Sequence, residues 1–295
     1  MKLTTSTNIV CDRPDGSVFD LEKTLKIASD AGFKRFDISF YDWALPHSPF
    51  LTDKWESWIY GVANSASKLG VEFGQSHAYT FQFLKSNQSE EEFKYHQWLV
   101  ERSLICCNIL GSSIGVTHPD TDRSSACIFK NSKEKNIEYF VKLLEFADKL
   151  EMSLAIENMC DVPSYPMRKY CNNAEELVDL VSTVNDKNLG ICWDFEHADI
   201  MNQDQIAALR LIGKHLMATH VSDTHSSTDD TLMHVMPLFG TVKWHEIMPV
   251  LTEIGYSGDF SFEAHNYANR LPDRLLPTAV KLAYEIGEYL MELAH

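Results

Sequence analysis

Asp194 and His197 stand three residues apart in Gly190-Ile-Cys-Trp-Asp-Phe-Glu-His-Ala-Asp-Ile200, just past a short apolar run. A carboxylate and an imidazole so placed are groups that bind metal ions and move protons. Alone, the pair reads equally well as a helix N-cap and a satisfied core histidine. The pattern recurs, however. Asp37, His77, His118, Glu157, His220 and Glu263 each stand at or near the end of another strand-like run. If one fold brought those ends together, carboxylates and imidazoles would share a single site.

The elements that would position them alternate along the whole chain. Strand-like runs are expected over Thr5–Cys11, Phe33–Phe40, Val71–Tyr79, Ser113–His118, Ser153–Met159, Leu189–Trp193, Leu216–Val221 and Gly258–His265. Helical patterns are expected over Asp20–Ala31, Asp53–Leu69, Glu90–Leu110, Lys133–Leu150, Ala174–Val184, Gln203–Ile212, Trp244–Ile254 and Leu275–Leu293. Glycines 32, 70 and 111 close three of these helices, and Asn172 or Asn173 caps another. Eight strand–helix units predict a closed α/β barrel, the (β/α)8 or TIM barrel, as one domain over residues 1–295. An open doubly wound sheet would want a GxGxxG or P-loop at a helix start, and none is present. In a barrel the C-terminal strand ends converge on one mouth, so residues distant in sequence meet there.

Composition narrows the function. Twenty-six Lys and Arg against 42 Asp and Glu give a net charge of −16, which repels phosphate backbones and opposes nucleic acid as a partner. No stretch approaches a membrane span, and Met1–Thr7 lacks the apolar core of a signal peptide. Seven scattered cysteines without a CxxC read as reduced thiols, the pattern of a cytoplasmic protein.

A mouth holding so many carboxylates and imidazoles needs compensation. Several kcal/mol per unpaired buried charge is untenable against a total stability of about 5–15 kcal/mol. One divalent cation would supply the balance. A mixed oxygen and nitrogen shell suits Mn2+, Mg2+ or Co2+, with Zn2+ also accommodated.

Ile156-Glu-Asn158, Trp193-Asp-Phe-Glu-His197, His220-Val-Ser-Asp223 and Phe262-Glu263 together resemble the successive motifs of the xylose isomerase-like barrel superfamily, which includes sugar isomerases and epimerases. The resemblance implies Glu157, Asp194, His220 and Glu263 as ligands of one metal ion. It also implies Glu157 and Glu263 as proton-transfer groups and His197 as a contact to a substrate oxygen. The expected activity is isomerisation or epimerisation of a small sugar or polyol-like hydroxy-ketone or aldehyde, through an enediolate stabilised by the metal. A homodimer or homotetramer is implied by the resemblance alone.

His77, His118 and His234 are expected to face substrate. They also resemble metal histidines of the apurinic endonuclease branch, but Leu232 stands where that branch has an Asp. Trp43 and His47, in the aromatic loop Tyr41–Phe50, are candidates to cap the mouth. Arg168, Lys169, Arg270 and Arg274 are candidates for an anionic substrate group, although no glycine nest for phosphate is evident. The rival readings are a dehydratase of the same superfamily acting on a keto-inositol or dehydroshikimate-like substrate, an endonuclease-like hydrolase, and a sugar-binding barrel without turnover.

Overall fold

The strand-like runs do pair in sequence order, each with the next. A computed structural model describes all residues except 47, 125, 162–167 and 295, together with the side chain of Asp230. Strands β1 (Lys2–Ser6), β2 (Arg35–Ser39), β3 (Glu72–His77), β4 (Ile114–Thr117), β5 (Ser153–Glu157), β6 (Leu189–Asp194), β7 (Leu216–Val221) and β8 (Asp259–Phe262) close into a barrel in the order β1 to β8. Every pairing is parallel, including the closing pair of β8 with β1. Around it lie α1 (Leu21–Ala31), α2 (Trp55–Leu69), α3 (Glu90–Ile109), α4 (Ile128–Asp148), α5 (Ala174–Val184), α6 (Phe195–Ile200), α7 (Gln205–Ile212), α8 (Trp244–Glu253), α9 (His265–Ala268) and α10 (Leu276–Leu293).

Helix starts follow from capping side chains. Asp20, Ser89 and Asn173 accept backbone N–H bonds from Lys23, Glu92 and Glu176 at the heads of α1, α3 and α5. Each such cap is worth about 1 kcal/mol. The larger apolar core fills the space between barrel and helices, with Phe33, Phe36, Phe260 and Phe262 fully buried in it. Inside the barrel a second, small cluster of Val116, Ala155, Cys192 and Ala218 forms a thin apolar layer. Side chains there must be small because four strands converge on it.

At the N-terminal end of the barrel, Arg35 pairs with Asp259 at 2.5 Å and with Glu72 at 2.6 Å. Gly74 is required beside them, since a Cβ on it would lie 1.8 Å from Asp259 Oδ2. That pair closes the bottom, leaving the C-terminal mouth as the place for a ligand.

Two elements depart furthest from their expected bounds. The first strand is Lys2–Ser6 rather than Thr5–Cys11. Its register with β8, from Lys2 opposite Asp259 to Thr5 opposite Phe262, puts a Thr-rich segment in the barrel. The apolar Ile9-Val10-Cys11 run lies beyond the strand and is buried in the main core instead. Helix α4 begins at Ile128, five residues before the expected Lys133. Ser132 folds its hydroxyl back onto the Ile128 carbonyl, so a polar stretch that reads as loop is helical.

Candidate metal centre

Strands β5, β6 and β7 end in Glu157, Asp194 and His220, and Glu263 follows β8 directly. Ligand atoms from these four residues all lie within 4.8 Å of one another. Glu157, Asp194 and His220 are buried, with Glu263 slightly open to the mouth. His220 Nδ1 lies 3.1 Å from Glu157 Oε1 and 3.2 Å from Glu263 Oε2, yet is hydrogen-bonded to neither. Asp194 Oδ2 is likewise buried without a hydrogen-bond partner. Leaving buried polar atoms unsatisfied costs roughly 1–3 kcal/mol each, more for charged groups. Side chains that converge on a common point rather than on each other fit a divalent cation, and the two oxygen types with one imidazole suit Mn2+, Mg2+, Co2+ or Zn2+.

Asp194 serves two ends at once. Its Oδ1 accepts the His197 N–H at 2.7 Å and caps α6, while Oδ2 faces the cluster. Asn158 locks this turn in place. Its side chain accepts the Asp194 N–H at 2.7 Å and donates to the Asp194 carbonyl at 2.9 Å. The Asn158 carbonyl in turn lies 2.8 Å from His197 Nδ1, which fixes that ring at the mouth.

Asp37 lies one layer deeper. It accepts hydrogen bonds from Gln75 Nε2 at 2.7 Å, from the His77 backbone at 3.0 Å and from Ser261 at 3.1 Å. His220 Nε2 lies 3.6 Å from it, beyond hydrogen-bond range. A carboxylate at that distance favours the charged imidazole.

Protonation follows the burial. Burial opposes ionisation of Glu157, but His220, His118 and His77 around it hold its carboxyl well below the usual range. Glu263 lacks that full ring of imidazoles, so burial and the neighbouring Glu157 push it up to about 7. His220 is held protonated against its burial by the carboxylates around it. A cation entering the site must therefore displace protons, since a ligating carboxylate or imidazole must be free of them. Apparent metal affinity is expected to fall by about tenfold or more per pH unit as pH drops below 7. Calorimetric titrations of Mn2+ at pH 7.5 and 6.0, with proton release measured in two buffers, test this. Equal affinities would contradict the shared site.

Two of the four, Glu157 and Glu263, line a cavity of about 730 Å³. That size lies within the roughly 300–1,000 Å³ of small-molecule sites. His77, His118, His197 and His234 all line it. His77 Nε2 and His118 Nε2 lie 3.0 Å apart, and both face Glu157 Oε2, at 3.5 and 3.1 Å. Burial lowers His118 to about 4, so it is neutral near pH 7.

Two expected residues stand elsewhere. Trp43 is buried against Trp58, with ring centroids 5.7 Å apart, and is not among the residues lining the cavity. The aromatic at the mouth is Tyr41, exposed and about 6 Å from the His77 and His118 rings. Arg168 pairs with Glu176 at 2.6 Å and packs over Phe129, also outside the cavity. His47 lies outside the described residues.

Sequence reasoning passed over Glu196 and His265. Glu196 is buried, accepts the Ser222 hydroxyl and the His234 backbone N–H, and lies 3.3 Å from His234 Nδ1. It thereby ties the long loop after β7 to the mouth. His265 stacks on His234 at 4.2 Å. Burial, then His234, keep its pKa well below the usual value, so it is neutral. The only sequence signal for either was proximity to an expected ligand.

A (β/α)8 barrel whose mouth gathers three carboxylates and a histidine around one point is the class that fold and site define. The model of the xylose isomerase-like TIM barrel family matches residues 25–285, and the chain belongs to that family. It is 27% identical over 160 residues to an uncharacterised protein of Methanocaldococcus jannaschii, covering 53% of this chain and 49% of that protein. It is 21% identical over 178 residues to the D-psicose 3-epimerase of Ruminiclostridium cellulolyticum, covering 55% of this chain and 57% of that enzyme. The chain thus matches about half the length of these curated relatives. The solved structure of the IOLI protein with a bound zinc atom superimposes with a TM-score of 0.77 at 18% identity, covering 100% of this chain and 99% of that one. That likeness concerns the fold.

Proposed function

We propose that this protein is a metal-dependent isomerase or epimerase of a small sugar or polyol-like hydroxy-ketone or aldehyde. The observation that carries the reading is the convergence of Glu157, Asp194, His220 and Glu263 on one point, with Glu157 and Glu263 lining the cavity. The likeness to a D-psicose 3-epimerase supports the sugar class. A divalent ion held by these four residues would act as a Lewis acid toward a carbonyl oxygen.

The chain's own groups supply the proton chemistry. Isomerising a hydroxy-ketone requires removing a proton from the carbon beside the carbonyl and returning it elsewhere or on the other face. Glu157 and Glu263 leave β5 and β8, on different sides of the mouth, and so address a bound carbon from two directions. His197 and the neutral His118 stand at the cavity surface to orient hydroxyl groups. Tyr41 and His234 complete the lining at the mouth.

The test is incubation of the metal-loaded protein with ketohexoses and ketopentoses in deuterated water. Deuterium is expected at the carbon beside the carbonyl, together with a new epimer or aldose. Loss of water from the substrate would identify the dehydratase reading instead. Metal and sugar binding without exchange into any ligand would favour a binding protein.

One observation favours a second reading. His77, Glu157 and His220 form a second group that could hold a metal ion, with His118 beside them, a donor set suited to metal-dependent hydrolysis. Leu232 and the net charge of −16 weigh against a nucleic-acid substrate. Two or more ions per chain and phosphodiester cleavage would replace the first reading with this one.

A further inference from the structure

Glu196 belongs neither to the four-residue cluster nor to the cavity lining, yet it grips a residue of that lining. It is the second residue of α6, next to His197, and is fully buried. A carboxylate away from water needs partners, and those of Glu196 come from the segment after β7. Ser222 donates its hydroxyl to Oε2 at 2.6 Å. The His234 backbone N–H lies 2.9 and 2.8 Å from the two carboxylate oxygens, and His234 Nδ1 lies 3.3 Å from Oε2. One residue thus meets the same carboxylate through its backbone and through its ring.

His234 is held in a shape that its residue type disfavours. Its φ of +51° is left-handed, a region that favours glycine. Its carbonyl accepts the Asn266 N–H at 3.1 Å, and the adjoining Val235 exchanges backbone bonds with Asp223 at 2.9 and 3.0 Å. Backbone outliers fixed this firmly cluster at functional sites. A carboxylate at Nδ1 keeps a proton there and leaves Nε2 as the nitrogen available to the cavity. The ring stacks on His265 at 4.2 Å and meets His197 edge-on at 6.0 Å. The titratable groups facing it are Glu196 and His197 from α6, Asp194 from β6, Glu263 after β8 and the neutral His265 from α9. Burial opposes charge on His234, but Glu196 first, then Glu263 and Asp194, raise its pKa above the usual value. A cation bound by Asp194 and Glu263 would engage those two carboxylates and leave Glu196 as the partner of the imidazole.

We infer that His234 carries a proton between two oxygens of the substrate through Nε2, with Glu196 as the residue that positions it. This inference rests on the isomerase reading above and deepens it: Glu157 and Glu263 serve carbon, and His234 serves oxygen. The step balances. A carboxylate takes the proton of the hydroxyl-bearing carbon, the C–H pair becomes a C=C bond, and the carbonyl π pair moves to its oxygen, which takes the Nε2 proton. Nε2 then takes the proton of the neighbouring hydroxyl. That O–H pair becomes the new C=O bond, and the C=C pair takes the proton back from the carboxylate at the former carbonyl carbon. His234 and the carboxylate end as they began, so no further reactant is needed. Epimerisation returns the carbonyl to its first oxygen, so a carrier between oxygens selects aldose–ketose interconversion.

The experiment has two arms, both on the Mg2+-loaded full chain as wild type, Glu196→Gln and His234→Gln. In the first, magnetic resonance of histidine-labelled protein follows the ring nitrogens with pH, and signals absent from His234→Gln belong to His234. The expected result is that Nδ1 stays protonated while Nε2 titrates above pH 7. That midpoint should fall by a pH unit or more in Glu196→Gln, which keeps an acceptor for the His234 N–H. In the second arm, D-fructose and D-ribulose are incubated in deuterated water. Both variants should lower the ratio of aldose formed to deuterium gained at carbon by tenfold or more, with KM little changed. A wild-type His234 that is neutral at pH 7, an unchanged midpoint in Glu196→Gln, or an unchanged ratio in both variants would each overturn the inference. The wild-type titration keeps the test decisive if a variant folds poorly. Exchange at carbon without any aldose in the wild type ends this inference and leaves an epimerase standing. Absence of exchange with either ketose ends the isomerase reading itself.

Discussion

Glu263→Gln is expected to lower kcat by roughly 10²–10⁴-fold, the usual contribution of a positioned general acid–base group. The amide keeps one oxygen for a cation and nearly the same volume, so metal affinity should fall less than in Glu263→Ala. Substrate KM should change little, because the lost function is proton transfer at the reacting carbon. The choice of Glu263 over Glu157 for this test follows from their surroundings. Glu157 is gripped by His118 at 3.1 Å, His220 at 3.1 Å and His77 at 3.5 Å, and its loss would disturb all three rings. Glu263 faces the mouth and has fewer partners, so its replacement is the cleaner probe. Full activity in the Gln variant, measured as deuterium wash-in from solvent, would remove Glu263 from the proposed chemistry.

Asp194→Asn separates the two tasks of that side chain. An Asn oxygen can still accept the His197 N–H, so the cap on α6 survives. Its charge and its second carboxylate oxygen are lost, and with them a ligand aimed at the cluster. Metal affinity is expected to fall by more than the 10- to 100-fold typical of outer-shell changes. The thermal midpoint in the presence of chelator should stay unchanged or rise, because a buried carboxylate without compensation has been neutralised. Asp194→Ala should lose both, with about 1 kcal/mol of stability gone even without metal. Unaltered metal binding in Asp194→Asn would place the ion elsewhere, and a destabilised apo-protein would mean that Asp194 is structural only.

Asp194 also illustrates what the sequence disclosed. Its letter fits an N-cap and a metal ligand equally, and in the folded chain each oxygen takes one of those tasks. His197 behaves the same way, satisfied by the Asn158 carbonyl and still lining the cavity. The barrel was legible because parallel strands buried on both faces read as apolar runs, and β6 is buried along its whole length. β1 broke that rule, because its buried residues are Thr and Ser while Ile9 and Val10 join the core beyond the strand. Side-chain direction in loops was not legible. Tyr41 and Trp43 are two residues apart, yet one reaches the mouth and the other packs on Trp58. Arg168 and Lys169 are adjacent, and only the second lines the cavity. Glu196 was hidden for a related reason. A charge next to an expected ligand looks solvated until the loop after β7 covers it.

The most direct test is the metal content of protein purified without chelator, compared with a Glu157→Ala/Glu263→Ala variant of matched fold by circular dichroism. Close to one divalent ion per chain is expected in the wild type and none in the variant. A wild type that binds no divalent ion even when one is supplied, or metal that the double variant keeps, would contradict it.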